Sequence, residues 1–318
     1  MPIIEVNGLV KNYNGTPAAA GVTFHVNDGE VFGFLGPNGA GKTTTINILC
    51  TLLNSDSGTA VVNGFDCRRE PHKVRSSIGL VFQEMTLDNE LTAYENLKFH
   101  CYLYNMEKRH SEKKIEEMLE IVGLSDRKKD LVKNFSGGMK RRLEIARGLL
   151  HTPKVLFLDE PTLGLDPQTR SHVWEHILRL KGRIGNTVFL TTHYMEEAEV
   201  CDRIAIIDRG RVIACGAPAE LKASVRGDIV RIKTSDDEAA SLEIEKGFGI
   251  SPVKTEQGIS FTIEGGEPAE RFIPRLFGRL TVGVVSVDVR KPSLEDVFIK
   301  LTGREIRDGS AQPQPRGR

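Results

Sequence analysis

The residues with the plainest chemistry in this sequence are Gly36, Pro37, Asn38, Gly39, Ala40, Gly41, Lys42 and Thr43, which match the pattern Gly-x-x-x-x-Gly-Lys-Ser/Thr. The glycines allow backbone conformations that other residues resist, so successive N–H groups can turn toward one phosphate. A helix opening directly behind them adds orphan N–H donors and the positive end of its dipole. The Lys42 ammonium can then reach β- and γ-phosphates and the Thr43 hydroxyl can bind Mg²⁺, with Thr44 completing the candidate contacts. A second feature is a pair of neighbouring carboxylates. Val155, Leu156, Phe157 and Leu158 read as a buried central strand, with Asp159 and Glu160 at its C-terminal end. Open α/β sheets bind ligands at that end. Asp159 suits Mg²⁺, directly or through water. Glu160 suits orienting a water and taking its proton. An acidic turn before Pro161 would look the same in isolation; the phosphate loop upstream favours the catalytic pair.

The elements around these residues follow from periodicity and turn chemistry. Runs at 3–6, 22–26 and 31–35 read as strands, punctuated by Asn14-Gly15 and Asp28-Gly29. A helix should follow Gly41, with Ile46, Leu49 and Leu53 facing a core. Residues 86–134 read as a charged helical insertion, with Ile115, Met118, Leu119 and Val122 as its apolar stripe. Strands at 155–158, 188–192 and 204–207 then alternate with helices, which predicts a largely parallel sheet. Asp208, Arg209, Gly210 and Arg211 predict a hairpin turn into 212–215. From about 221 a small α+β unit, of ferredoxin-like kind, is expected, with strands at 229–233, 259–263 and 284–289 and helices near 236–246 and 267–278. Ser293 and Asp296 should cap its last helix, whose apolar face is Leu294, Val297, Phe298 and Leu301. The tail, 304–318, is expected to be disordered.

Composition narrows the function. Lys+Arg and Asp+Glu are equal at 43 each, so there is no overall basic footprint for nucleic acid. The five cysteines are scattered without a CxxC pair, which disfavours a disulfide framework or a zinc site and fits a reducing cytosol. No apolar run reaches the roughly 18 residues of a spanning helix, and Met1-Pro2-Ile3-Ile4-Glu5 lacks the features of a signal peptide. A membrane role is expected only through a partner.

Asn134, Phe135, Ser136, Gly137, Gly138 and Met139 resemble the signature of the ATP-binding cassette (ABC) family, with Phe135 for the usual Leu and Met139 for the usual Gln. A Ser hydroxyl and small residues at a helix N-terminus make a second phosphate cradle. Met139, Leu143, Ala146 and Leu150 are expected on one side of that helix. The resemblance implies further roles, covering residues 3 to about 220. Gln83 looks like the Q-loop glutamine, sensing Mg²⁺ or water and contacting a membrane partner. Asp166, after Gly164 and Leu165, looks like the D-loop residue working across a dimer. His193 looks like the switch histidine on the γ-phosphate. Tyr13 resembles the aromatic that stacks on adenine, with ordinary packing as the rival; stacking would also admit GTP.

The implied fold is an α/β P-loop NTPase nucleotide-binding domain over 1–220, with a RecA-like core, an antiparallel β subdomain and a helical subdomain at about 86–134. A C-terminal α+β domain follows over 221–303. The implied mechanism is hydrolysis of MgATP in a head-to-tail homodimer, or beside a related cassette. Met139-Lys140-Arg141-Arg142-Leu143 and the ending from Lys291 to Arg304 resemble the daunorubicin/doxorubicin-resistance type of ABC-2 exporter ATPase. That type implies export of a hydrophobic compound through a separate multi-span membrane subunit, at the cytoplasmic face of the membrane. An importer ATPase is the nearest alternative. An ABC ATPase acting on ribosomes or DNA is the more distant one, since it would normally carry two cassettes or a long coiled coil.

Overall fold

The chain opens with a long hairpin, β1 (Ile4–Tyr13) and β2 (Thr16–Val26), turned by Asn14 and Gly15 at positive φ. β3 (Val31–Leu35) is buried along its whole length and leads to α1 (Lys42–Leu49). β4 (Ser57–Val62) and β5 (Phe65–Asp66) complete an antiparallel sheet in the order β2-β1-β4-β5. β2 starts at Thr16 rather than near residue 22. The Ala- and Gly-rich segment there has little strand preference, but register with β1 (Tyr13↔Thr16, Lys11↔Ala19) imposes it. This computed structural model describes residues 2–225, 227–255, 257–263 and 267–303, with 180–184 by backbone alone. The tail expected to be disordered, 304–318, lies outside the described residues.

α2 (Pro71–Ser77) feeds β6 (Ile78–Val81), and the helical insertion follows as α3 (Ala93–Leu103) and α4 (Lys108–Ile121). Thr92 and Glu95 form a reciprocal capping box at the start of α3. The expected stripe of Ile115, Met118, Leu119 and Val122 is fully buried. α5 (Gly137–Leu149), β7 (Val155–Asp159), α6 (Pro167–Ile184), β8 (Thr187–Thr192), α7 (Met195–Glu199), β9 (Arg203–Asp208) and β10 (Arg211–Gly216) then alternate. Their sheet has the order β10-β9-β3-β8-β7-β6. The pairs β6/β7, β7/β8, β3/β8 and β3/β9 are all parallel. Arg209 and Gly210 both have positive φ, as the tight turn between β9 and β10 requires. Phe24, Phe32, Phe34, Phe157 and Phe189 form an aromatic cluster on the β3/β7/β8 strands and β2, with centroid separations of 5.2 to 5.9 Å. Each buried Phe contributes about 1.5–3 kcal/mol through removal of apolar surface from water. The frame of the site is therefore stiff.

The molecule divides into two units, Met1–Val212 and Ile213–Arg318. The second comprises α8 (Pro218–Ala223), β11 (Ile229–Thr234), α9 (Asp237–Phe248), β12 (Val253–Thr255), β13 (Gly258–Thr262), α10 (Ala269–Phe277), β14 (Val284–Arg290) and α11 (Leu294–Thr302). From β11 to β14 the order is βαββαβ, and the antiparallel sheet runs β12-β13-β11-β14, the ferredoxin-like arrangement. Its core is Val230, Ile232, Ile244, Ile259, Phe261, Phe272 and Leu276. Ser293 caps α11 reciprocally with Asp296, as expected: Asp296 N donates to Ser293 Oγ at 3.3 Å and Ser293 N to Asp296 Oδ2 at 2.8 Å. One detail of that helix differs. Leu301 is 47% exposed and Ile299 is buried instead, alongside Leu294, Val297 and Phe298. No described helix is long and apolar enough to cross a membrane.

Candidate nucleotide site

Four of the strands in the parallel sheet deliver chemistry at their C-terminal ends. β3 runs into the phosphate loop, β7 ends at Asp159, β8 ends one residue before His193, and β6 ends two before Gln83. Because β3, β8, β7 and β6 are adjacent and parallel, these groups arrive on one rim. This is where such a sheet places ligands.

Backbone contacts from neighbouring strands and turns hold the loop. Gly36 N donates to Thr192 O at 3.1 Å, and Gly210 N donates to Ala40 O at 2.9 Å. A Cβ on Gly36 would stand 2.3 Å from Ile207 O, and one on Gly41 would stand 2.1 Å from Ala18 O. Gly41 also has φ of +103°. Only glycine fits at these two places, and the result is a narrow cradle. Behind it the first-turn N–H groups of α1, those of Lys42, Thr43 and Thr44, have no acceptor within the helix. Pro37, Asn38 and Gly39 form the outer lip, with Asn38 and Gly39 exposed. The donor set fits a phosphate chain.

Lys42 is buried and folds back over the loop. Its Nζ donates to Gly36 O at 2.8 Å and Pro37 O at 3.2 Å, and lies 3.1 Å from Glu160 Oε1. On the other side of that carboxylate, His193 Nδ1 is 3.2 Å from Oε2. Burial pushes the Glu160 carboxyl up, but the His193 hydrogen bond and the Lys42 charge more than reverse this, leaving it below the usual glutamate range. Asp159 moves the opposite way. Burial raises it, and the Thr191 hydroxyl, which donates to Oδ1 at 2.5 Å, only partly offsets the shift. The Lys42 charge and the nearby Thr43 hydroxyl also pull the Asp159 carboxyl down, so two expected Mg²⁺ ligands are neighbours. Two neighbouring carboxylates thus have opposed environments. Glu160 further sits at φ of +44°, a left-handed conformation that strains a residue with a side chain.

Thr191 is a site residue that sequence reasoning missed. Register pairs it with Asp159, and its hydroxyl also accepts from Glu160 N at 3.0 Å. The available signal was a polar residue within an otherwise apolar central strand. Arg141 and Glu144 were missed as well. The helix α5 was expected to bury one apolar side, but Arg141 and Glu144 are buried with Leu143 and Ala146.

The remaining expected residues lie elsewhere. Ser136 caps α5, accepting from Met139 N at 3.3 Å. A Cβ on Gly138 would stand 2.3 Å from Thr169 Cγ2, so α5 and α6 approach closely there. Asp166 caps α6, its Oδ1 accepting from Thr169 N at 2.9 Å; Thr169 holds that carboxyl below the usual aspartate range. Tyr13, at the end of β1, is 48% exposed with Lys11 Nζ 6.0 Å from its ring centroid. Gln83 is exposed just beyond β6. Among the described residues, no hydrogen bond joins Ser136, Gly137, Gly138, Asp166 or Tyr13 to the cluster around Lys42.

Residues 19–163 match the family model for the ABC transporter, and 216–302 match that for the ATP-binding protein DrrA1-3-like C-terminal domain. The daunorubicin/doxorubicin resistance ATP-binding protein DrrA of Streptomyces peucetius is 42% identical over 315 residues, covering 97% of this chain and 95% of that one. The chain belongs to the ABC transporter family. Linearmycin resistance ATP-binding protein LnrL of Bacillus subtilis is 39% identical, over 96% of this cassette chain and 100% of its own. Among solved structures, the dimeric post-hydrolysis ATP-binding cassette MJ0796 bound to ADP and Pi superposes with a TM-score of 0.61 at 27% identity. It covers 67% of this chain and 98% of its own. As an ABC subunit this chain carries an ATPase fold.

Proposed function

We propose that this chain hydrolyses MgATP to ADP and phosphate and thereby powers export of a hydrophobic compound through a separate membrane subunit. The observation that carries the reading is Glu160, buried at the C-terminal end of β7 and held between Lys42 and His193. An inert nucleotide binder has no use for a strained, buried base in that place.

ATP would lie with its phosphates over the loop from Gly36 to Thr43 and its adenine toward Tyr13. Thr43 and Asp159, with Gln83, would hold Mg²⁺, which neutralises charge on the phosphate oxygens. Glu160 orients a water and takes its proton as the water oxygen bonds to the γ-phosphorus and the bond to the β–γ bridging oxygen breaks. Lys42 and His193 stabilise the charge on the transferred phosphoryl group. Both donors hold Glu160 in the free protein, so a phosphate that claims either one raises the basicity of the carboxylate. Thr191 keeps Asp159 and the Glu160 backbone in register.

Ser136, Gly137 and Gly138 at the N-terminus of α5 would meet the ATP of a second copy, or of a related cassette, with Asp166 beside them. Phe82 and Met85 flank Gln83, and Phe99, Tyr102 and Leu103 lie on or beside α3; all five are large apolar side chains left in solvent. We assign them to contact with the membrane subunit, at the cytoplasmic face. Resistance to daunorubicin and to linearmycin in the names of the two relatives supports a hydrophobic cargo.

Affinity capture at native level from gently solubilised membranes tests this. A multi-span protein recovered in equal amount is the expected result. Recovery only in the soluble fraction, with ribosomes or DNA-repair proteins attached, would remove the transporter reading and leave the ATPase.

A further inference from the structure

α5 meets the segment after β6 through a buried ion pair. Arg141 is 1% exposed and Glu144 fully buried, and Arg141 Nη1 donates to Glu144 Oε2 at 2.9 Å. The same guanidinium donates to two successive backbone carbonyls, from Nη1 to Phe82 O at 2.6 Å and from Nη2 to Gln83 O at 2.7 Å. Glu144 Oε1 accepts from Thr86 N at 2.7 Å and from Thr86 Oγ1 at 3.0 Å. Arg147, one turn on, donates to Thr86 O at 3.0 Å. Both ends of the segment from Gln83 to Thr86 are therefore tied to one helix, while the side chains of Gln83, Glu84 and Met85 are exposed.

Charged residues are seldom buried this completely. Stability alone is a weak reason for the pair, because a well-packed apolar pair of similar volume often does as well or better. Apolar side chains could not, however, hold the carbonyls of an irregular segment. The fork of Arg141 also has the geometry to grip two of them at once. Ser136 caps the same helix at its N-terminus, so a tilt of α5 moves Ser136 and the Arg141/Glu144 pair together.

The geometry points to Arg141 and Glu144 as positioning residues that lock the Gln83 backbone to α5, so that movement of the Ser136 end is carried to Gln83 in the same chain. This rests on the proposed roles of Gln83 and Ser136 at nucleotide. It gives each copy a route by which nucleotide at its signature alters its own Q-loop.

The double variant Arg141→Met/Glu144→Leu removes the pair without leaving a lone buried charge. In the full chain it should melt within about 3 °C of wild type. It should bind MgATP within about twofold of the wild-type Kd and hydrolyse it at least about tenfold more slowly. Amides 83–86 should exchange at least about tenfold faster while those of α5 do not. Arg141→Lys, which keeps the charge but loses one arm of the fork, should be intermediate in turnover. Wild-type turnover with unchanged exchange at 83–86 in the double variant would overturn the assignment and leave a packing role. If the double variant does not fold, wild-type turnover in Arg141→Lys would do the same. Absence of hydrolysis by the wild type would instead remove the proposed function; amide exchange, which needs no turnover, would still decide whether Arg141 holds Gln83.

Discussion

Lys42 Nζ lies 3.1 Å from Glu160 Oε1 with both side chains almost wholly buried, so the cation suited to a phosphate is paired with the carboxylate suited to a water. Neither group is free to act on the other's target while they are joined. On the proposed function, phosphate and carboxylate would compete for the same ammonium, and that competition would link nucleotide arrival to activation of the base.

Lys42→Ala removes the cation and leaves Glu160 beside His193 alone. Nucleotide affinity should fall at least about tenfold, roughly 1.4 kcal/mol, as measured by calorimetry with MgATP. An unchanged Kd would contradict the phosphate assignment. The fold should also weaken somewhat, because one partner of a buried pair has been removed.

Two glycines in the loop should behave differently from a third. Gly36→Ala and Gly41→Ala place a Cβ 2.3 and 2.1 Å from backbone oxygens, and should cost about 2 kcal/mol or more. Gly39→Ala meets no atom within 4 Å and bears only its positive φ, costing about 1 kcal/mol. Chemical denaturation of the three variants checks the order; equal losses would contradict the cradle as described.

Gly138→Ala should destabilise through Thr169 Cγ2, 2.3 Å from the added Cβ. Adding Thr169→Ser, which deletes that methyl, should restore most of the loss. A double-mutant cycle reads the coupling; additive losses would mean that the α5/α6 approach is not what demands glycine.

Much of this was legible in the sequence because local chemistry decided it. The Gly-Lys-Thr loop, the two carboxylates after an apolar strand, the turn at Arg209 and Gly210, and the Ser293 cap each depend on a few adjacent residues. What was not legible depended on partners far along the chain. Residues 16–21 have little strand preference and become β2 because β1 pairs with them. Arg141 lies in a basic run with Lys140 and Arg142, and what accounts for its burial, the Phe82 and Gln83 carbonyls together with the Glu144 carboxylate, shows only in the fold. Leu301 and Ile299 both suit an apolar face, and which one is buried is set by packing around α11.

Acid should weaken the first unit through His100. Burial, with Arg147 and His151 nearby, pushes its pKa from 6.5 down to about 4. The unfolded chain therefore takes up this proton at a higher pH than the folded one. The stability linked to it is complete above pH 6.5 and is lost as pH falls through that window toward about 4. His100→Phe keeps a ring against Tyr104, now 5.0 Å between centroids, and should lose less stability between pH 7 and 4. Denaturant midpoints across that range check this; identical acid sensitivity would contradict it.

The most direct test of the account is ATP hydrolysis by Glu160→Gln beside the wild type, with nucleotide binding and ATP-dependent dimerisation measured on the same preparations. Glu160→Gln should turn over at least about a hundredfold more slowly, bind MgATP as well as the wild type, and accumulate an ATP-bound dimer. Turnover near the wild-type rate would show that Glu160 is not the base, and the site built around Lys42 and His193 would have to work another way.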